Sequence, residues 1–343
     1  MLTAMRDPRS IVVAQLSFIG DMVFTTPLLS GLRELWPGAL ITVVGRPAAL
    51  GVLDGFPGVG GTIPYDKDEQ EKAPGSILAI GRRVRALAPD LFLGVTRSLR
   101  TALLARLSGA PVRAGFRGAL RRLAYTHTAE RDDAGTPLPE RPLALLGALG
   151  HPVSPRRLSL NVSAARRSRA IAALQEAGWK GEPILAVVPG SNYATKRWPE
   201  RHVARLLDLV LASRSWRPAL YGGPAEKDLI DRLLTGRPAV LDRRGTTVST
   251  LRDELSLVSA VLAGDSGPAH IARALGTPVA ALFGPTSPAL VRDQVPYREI
   301  TLGIECQPCS PHGDAVCPLG HHRCLEEVTP ETVLGVLDDL LRS

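Results

Sequence analysis

Lysine is scarce in this sequence. Only five of its 41 basic residues are Lys, the rest being Arg, and against 33 acidic residues they leave a net charge of +8. With Ala, Gly and Pro abundant, that ratio reads as a codon-composition bias, so a lone arginine says little and a lysine in a polar turn says more. Aromatic residues are also few, at 4%, which argues against a base-stacking platform. No helix-turn-helix pattern, zinc-finger spacing or aromatic–basic RNA motif accompanies the charge. Nucleic acid is therefore not the expected partner, and an anionic membrane face or a phosphorylated substrate fits the basic surface better. No apolar run approaches the ~20 residues of a membrane span. The opening MLTAMRDPRS leads into an apolar strand without a signal-peptide region or cleavage site, so the expected location is the cytoplasm.

What is present is alternation. At 343 residues, 45% hydrophobic and 22% charged, the chain suits two globular domains. Residues 11–16 read as a strand, 17–21 as a polar glycine-bearing loop, 22–36 as one amphipathic helix stopped by Pro37-Gly38, and 40–44 as a second strand. Another round follows, with a strand near Ile63, a helix over 76–87 and a strand over 91–95. Residues 131–157 are Pro-rich, and 158–162 and 164–177 read as a short strand and a helix. The connection at 178–183 is the expected boundary, dividing the chain into domains 1–178 and 183–343. Beyond it the alternation restarts, with strands at 184–188, 219–221, 239–241, 260–263 and 279–283, and helices at 199–211, 226–234 and 269–275. The expected fold class is α/β, with each domain a doubly wound parallel sheet.

In such sheets ligands bind beyond the carboxyl ends of the strands, where three polar turns fall. Gly264-Asp265-Ser266-Gly267 precedes Pro268 and a short helix; its glycines allow close backbone approach, and the helix start offers N–H groups to an anion. Asp265 suits sugar hydroxyls, and His270 lies one helical turn further in. The competing reading is an Asp/Ser cap with a packing histidine. Residues 189–198, PGSNYATKRW, supply Ser191 and Asn192 as polar contacts and Lys196 as a point charge suited to a diphosphate. Gly222-Gly223-Pro224-Ala225-Glu226 places Glu226 to accept from a ribose hydroxyl or merely to begin a helix. Neither of these last two turns fits a Walker A pattern, and the 17–21 loop is not G-x-G-x-x-G, which weighs against ATP hydrolysis and NAD-type binding. In that first loop Asp21 is either a helix cap or a carboxylate projecting toward a substrate.

Residues 96–122 carry many arginines, among them Arg97, Arg100, Arg113 and Arg117. They form either a solvated face or an electropositive wall for an anionic acceptor. All four cysteines fall in Cys306-x2-Cys309-x7-Cys317-x6-Cys324, with His312, His321 and His322 among them. Half of this spacing is that of a zinc knuckle, but the second half lacks a zinc ribbon's tight pairing, so reduced structural cysteines are expected rather than bound metal.

Together the stretches IVVAQLSFIGDMVFTTPLLSGLRELWPGALITVV, VVPGSNYATKRWPERHVARLL, YGGPAEKD and AGDSGPAHIARALGTPVAALFGPTSP resemble the ADP-heptose:lipopolysaccharide heptosyltransferases, glycosyltransferase family 9. The tail ECQPCSPHGDAVCPLGHHRCLEEVTPETV is similar to the end of the heptosyltransferase II branch. The resemblance implies a GT-B fold, two Rossmann-like domains facing a central cleft, the acceptor on the first and the nucleotide sugar on the second. It further implies transfer of heptose from ADP-heptose to the lipopolysaccharide inner core, with inversion, no cofactor and no catalytic metal. The enzyme would contact the cytoplasmic face of the inner membrane peripherally. By position in the matching motifs Asp21 is the general base; Ser191, Asn192 and Lys196 contact phosphate; Glu226 contacts ribose. Asp265, Ser266, Gly267 and His270 then form the heptose and diphosphate turn, while Arg97, Arg100, Arg113 and Arg117 are candidates for the acceptor. The alternatives are another GT-B sugar-nucleotide enzyme (with a different donor, or a hydrolysing epimerase) and a nucleotide-sugar-binding protein without turnover.

Overall fold

The computed structural model describes residues 7–65, 76–118, 123–133, 135–152, 154–213, 216–291 and 296–342, so most of the opening segment 1–10 lies outside it. Two compact units divide the chain, Met1–Asn161 and Val162–Ser343.

Each unit is built on a six-stranded parallel sheet. In the first, β1 (Ser10–Gln15), β2 (Leu40–Gly45), β3 (Val59–Pro64), β4 (Leu91–Gly94), β5 (Val112–Phe116) and β6 (His127–Ala129) lie in the order β3-β2-β1-β4-β5-β6. In the second, β7 (Ile184–Val188), β8 (Arg217–Gly222), β9 (Leu241–Arg244), β10 (Ala260–Gly264), β11 (Val279–Leu282) and β12 (Tyr297–Ile300) lie in the order β12-β11-β10-β7-β8-β9. Counted from its own first strand, each sheet has the order 3-2-1-4-5-6 of the Rossmann fold. The central strands show why the sequence folds so. Ile184–Val188 and Ala260–Gly264 are apolar at nearly every position and buried throughout, as parallel strands covered by helices on both faces must be. The switch point falls between β1 and β4 in the first sheet, with Ile11 opposite Leu91. In the second it falls between β7 and β10, with Ala260 opposite Leu185.

Three expectations change. The helix over 22–36 is two helices, Ile19–Val23 and Thr26–Leu35. Pro27 stands in the first turn of the second, and the hydroxyls of Thr25 and Thr26 donate to the carbonyls of Asp21 and Val23, each at 2.8 Å, so the chain turns between them. No strand forms over 158–162. The units part at 161/162 rather than 178–183, because helix Ala164–Glu176 packs on helix Val248–Leu255, with Arg166 reaching Asp253 at 2.9 Å.

Candidate active site

The switch point of the second sheet gathers the predicted turns. Lys196 follows β7 and Asp265 follows β10, the two strands that flank it, and Thr286 follows β11. The Lys196 Nζ donates to Asp265 Oδ2 at 2.7 Å, and Thr286 Oγ1 donates to the same oxygen at 2.8 Å. His270 Nε2 lies 3.4 Å from the other carboxylate oxygen. Both charged side chains are largely shielded, with 12% and 13% of their surfaces exposed. Burial pushes the Asp265 carboxyl up, but His270 and Lys196 together pull harder the other way and hold it well below its ordinary range. Burial is also the main reason His270 is lowered, against the opposing pull of Asp265. The His270 ring is thus neutral near pH 7, and the Lys196 ammonium is the lasting countercharge of Asp265. A small cavity opens here between Val188, Pro189, Lys196 and Gly264.

Ser266 stands at the N-cap of helix Gly267–Leu275 in an extended conformation, yet its hydroxyl makes no cap hydrogen bond. The Ser266 Oγ is buried without a hydrogen-bond partner among the described residues. Gly267 begins the helix, Pro268 follows it, and Gly276 closes the element in the left-handed conformation at φ 80°. A first turn with outward N–H groups and positive dipole, beside a lysine, is a place for an anion. The glycine at the end of β10 is required by packing: a Cβ on Gly264 would stand 2.8 Å from the Lys196 carbonyl oxygen.

Ser191 and Asn192 lie on the same loop as Lys196, Ser191 half-buried and Asn192 exposed. The loop is braced by Arg197, whose Nε donates to the Ser191 carbonyl at 2.8 Å. Glu226 sits on the neighbouring turn after β8, where its Oε2 accepts from Gly223 N at 2.9 Å. Its stem also rests on Gly190, where a Cβ would come within 2.4 Å of Glu226 Cγ. Helix capping and the approach to the Lys196 loop are therefore combined in one carboxylate.

In the first unit Asp21 follows β1, beside that sheet's switch point. Its carboxylate accepts from Phe18 N at 3.2 Å, capping the short helix, while its carbonyl accepts from Gln15 and Thr25. Gln15, at the buried end of β1, ties the loop from below through Ser17, Asp21 and Thr25. Sequence reading passed over Gln15 and Thr286; a polar residue ending an apolar strand and the Thr of the FGPTSP stretch were the available signals.

The arginines separate. Arg113 donates from Nε and Nη1 to the carbonyls of Ala124 and Ala110, at 2.7 and 2.5 Å, and so serves the packing of β5. Arg97 pairs with Asp133, and Arg117 pairs with Glu130 at 2.5 Å in an exposed ion pair. Arg100 lies in the first turn of helix Leu99–Leu107 and is exposed. None of the four cysteines is in a disulfide. Among the described residues no group of three or more His, Cys, Asp or Glu is arranged to hold a metal ion.

The sequence model of glycosyltransferase family 9 (heptosyltransferase) matches residues 77–322. Lipopolysaccharide heptosyltransferase 2 of Escherichia coli (strain K12) is 26% identical, over 96% of this chain and 98% of that protein. Among solved structures, a glycosyl transferase family 9 protein from Veillonella parvula superposes with a TM-score of 0.87 at 22% identity, covering 97% of each chain. The ADP-heptose lps heptosyltransferase II of E. coli superposes at 0.79 with 26% identity, over 97% of this chain and 98% of the other.

Proposed function

The chain belongs to glycosyltransferase family 9, the heptosyltransferases, and from that premise we propose ADP-heptose as its donor and a sugar of the lipopolysaccharide inner core as its acceptor. The fold is α/β, of the GT-B class of its structural neighbours, and the activity is heptose transfer in lipopolysaccharide core synthesis. The observation that carries the donor reading is the cluster at the second switch point. It combines a lysine, an ionised aspartate and a helix start beyond the ends of β7 and β10.

In the reaction the bond between the heptose anomeric carbon and the ADP oxygen breaks, and a bond from the acceptor hydroxyl to that carbon forms on the opposite face. ADP leaves with the electron pair, and negative charge grows on its diphosphate. Lys196 and the N–H groups around Ser266 and Gly267 stabilise that charge, which is where fixed cations and dipoles contribute most. Ser191 and Asn192 contact the phosphates, Glu226 accepts from ribose, and Asp265, held in place by Lys196 and Thr286, orients the heptose. His270 fixes Asp265 from the side of the helix. Asp21 takes the proton of the acceptor hydroxyl. No cofactor or metal is assigned to this scheme. The acceptor is an anionic glycolipid met at the cytoplasmic face of the inner membrane, with Arg97, Arg100 and Arg117 as its contacts; Arg113 is left out of this set because its Nε and Nη1 already donate to backbone carbonyls inside the fold.

One observation favours a second reading, a nucleotide-sugar-binding protein without turnover: the Asp21 carboxylate is engaged in a helix cap. Turnover of ADP-heptose against a panel of truncated lipopolysaccharides separates the readings. Transfer to one acceptor supports the proposal. Hydrolysis or epimerisation without acceptor assigns the chain another reaction, and tight donor binding with no product supports the second reading.

A further inference from the structure

The cysteine-rich segment has no part in the chemistry above, yet it is fastened to the loop that bears Lys196. Thr195 is buried, at 5% exposure. Its hydroxyl accepts from Asp314 N and donates to Asp314 O, each at 2.8 Å, and its own N–H also donates to Asp314 O at 3.2 Å. The Thr195 carbonyl accepts from His322 Nε2 at 2.9 Å, which makes that nitrogen the protonated one. Gly313, at φ 89°, lies against the lysine stem, where a Cβ would come within 2.8 Å of Lys196 Cδ and 2.9 Å of Cγ. The same segment grips the Thr286 turn. Gln307 Nε2 donates to the carbonyls of Phe283 and Gly284, and the N–H groups of Cys309 and Ser310 both donate to the Pro285 carbonyl.

Two of the groups that converge on Asp265, Lys196 and Thr286, thus stand on loops whose backs are held by one irregular stretch of chain. We propose that Thr195 and His322 are positioning residues for the donor site, and that segment 306–324 is a brace setting where the Lys196 ammonium stands. A long lysine side chain has rotamer freedom to lose, and an ammonium held in advance stabilises a departing diphosphate better than one that must be ordered during the reaction. Contact at the stem, from Gly313, and at the adjacent backbone, from Thr195, restricts that freedom without touching the ammonium. The proposal rests on Lys196 being a diphosphate contact.

The test uses the full chain with Thr195→Val, which keeps shape and burial but loses the reciprocal hydroxyl bonds, and Thr195→Ser, which retains them. Circular dichroism and melting establish folding. KM for ADP-heptose and Kd for ADP should rise at least tenfold in Thr195→Val, with a smaller fall in kcat and the acceptor KM unchanged, and Thr195→Ser should restore most of the loss. A folded Thr195→Val protein with native donor KM and ADP affinity overturns the proposal, as does an equal loss in Thr195→Ser. If Thr195→Val fails to fold, His322→Asn decides by the same donor-only signature, Asn being suited to the left-handed conformation His322 adopts at φ 47°. Lys196→Ala is the control. Native ADP affinity in that variant removes the donor-site reading itself, whereas weakened affinity there with none in Thr195→Val removes only the brace.

Discussion

Asp265 is an anion held by three side chains, and the fate of each can be argued separately. On the proposed scheme Lys196→Ala removes a charge-assisted contact to the diphosphate, worth ~1.5–3 kcal/mol. It also leaves a shielded carboxylate with Thr286 and a neutral His270 as neighbours. The expected result is ADP affinity down by about ten- to a hundredfold, with kcat lowered too because charge on the leaving group grows in the transition state. Unchanged kcat with a merely doubled KM would make Lys196 peripheral. The acid behaviour of the same cluster has a definite sign. Asp265 lies below its ordinary 3.8 in the fold, so on acidification the unfolded chain takes up that proton first. Its contribution to stability is complete above 3.8 and is lost as pH falls through the folded value. His270 lies below its ordinary 6.5, so folding is disfavoured progressively below that value. Both groups therefore make acid destabilising, and denaturant midpoints should fall from pH 7 to pH 3. Asp265→Asn should flatten the portion below about pH 4; an acid limb as steep as the native one would show that other carboxylates govern it.

At the level of elements, the helix after β1 poses the sharpest question, because Asp21 caps it and is also the proposed base. Capping alone is worth ~0.5–2 kcal/mol of stability and need not alter rate. General base catalysis contributes ~10²–10⁴-fold to rate and need not alter stability. Asp21→Asn separates them, since the amide oxygen can still accept from Phe18 N but is a poor base. Near-native melting and donor binding are expected, with kcat down by about a hundredfold or more; native turnover would leave Asp21 a cap. What the sequence disclosed about elements follows from burial. β1, β7 and β10 are short apolar runs buried on both faces and were legible as strands. Helix Leu99–Leu107 was not, because its leucines fall on both sides, Leu104 buried and Leu99 and Leu103 exposed, so no amphipathic period marks it. The turns after β7, β8 and β10 were legible because glycine and polar residues following a strand have few other uses. The ties of Thr195 to Asp314 and His322 were invisible, since only folding brings residues 119 and 127 positions apart into hydrogen-bond contact. The boundary at 161/162 was hidden for a similar reason: helix Ala164–Glu176 declares its unit only through its packing on helix Val248–Leu255.

For the molecule as a whole, the two units have the same sheet order, but their switch points are furnished differently. The second offers Lys196, an ionised Asp265 and an anion-ready helix start, while the first offers Asp21 and, beyond β4 and β5, arginines partly engaged with acids. ADP carries a diphosphate and no acceptor chemistry, so its effects should be confined to the second unit. Hydrogen exchange on the full chain with saturating ADP should slow over 189–198, 264–268 and 284–288. Ligand binding stabilises only what it contacts or what is coupled to that, and the ties from Thr195 and Pro285 predict slowing at 307–314 as well. Residues 17–21 should exchange at their unliganded rate. UDP and GDP should give the same map more weakly at equal concentration, because they share the diphosphate but not the base. Protection centred on 17–21, or identical protection by all three nucleotides, would place the nucleotide elsewhere or leave the site without selectivity for adenine.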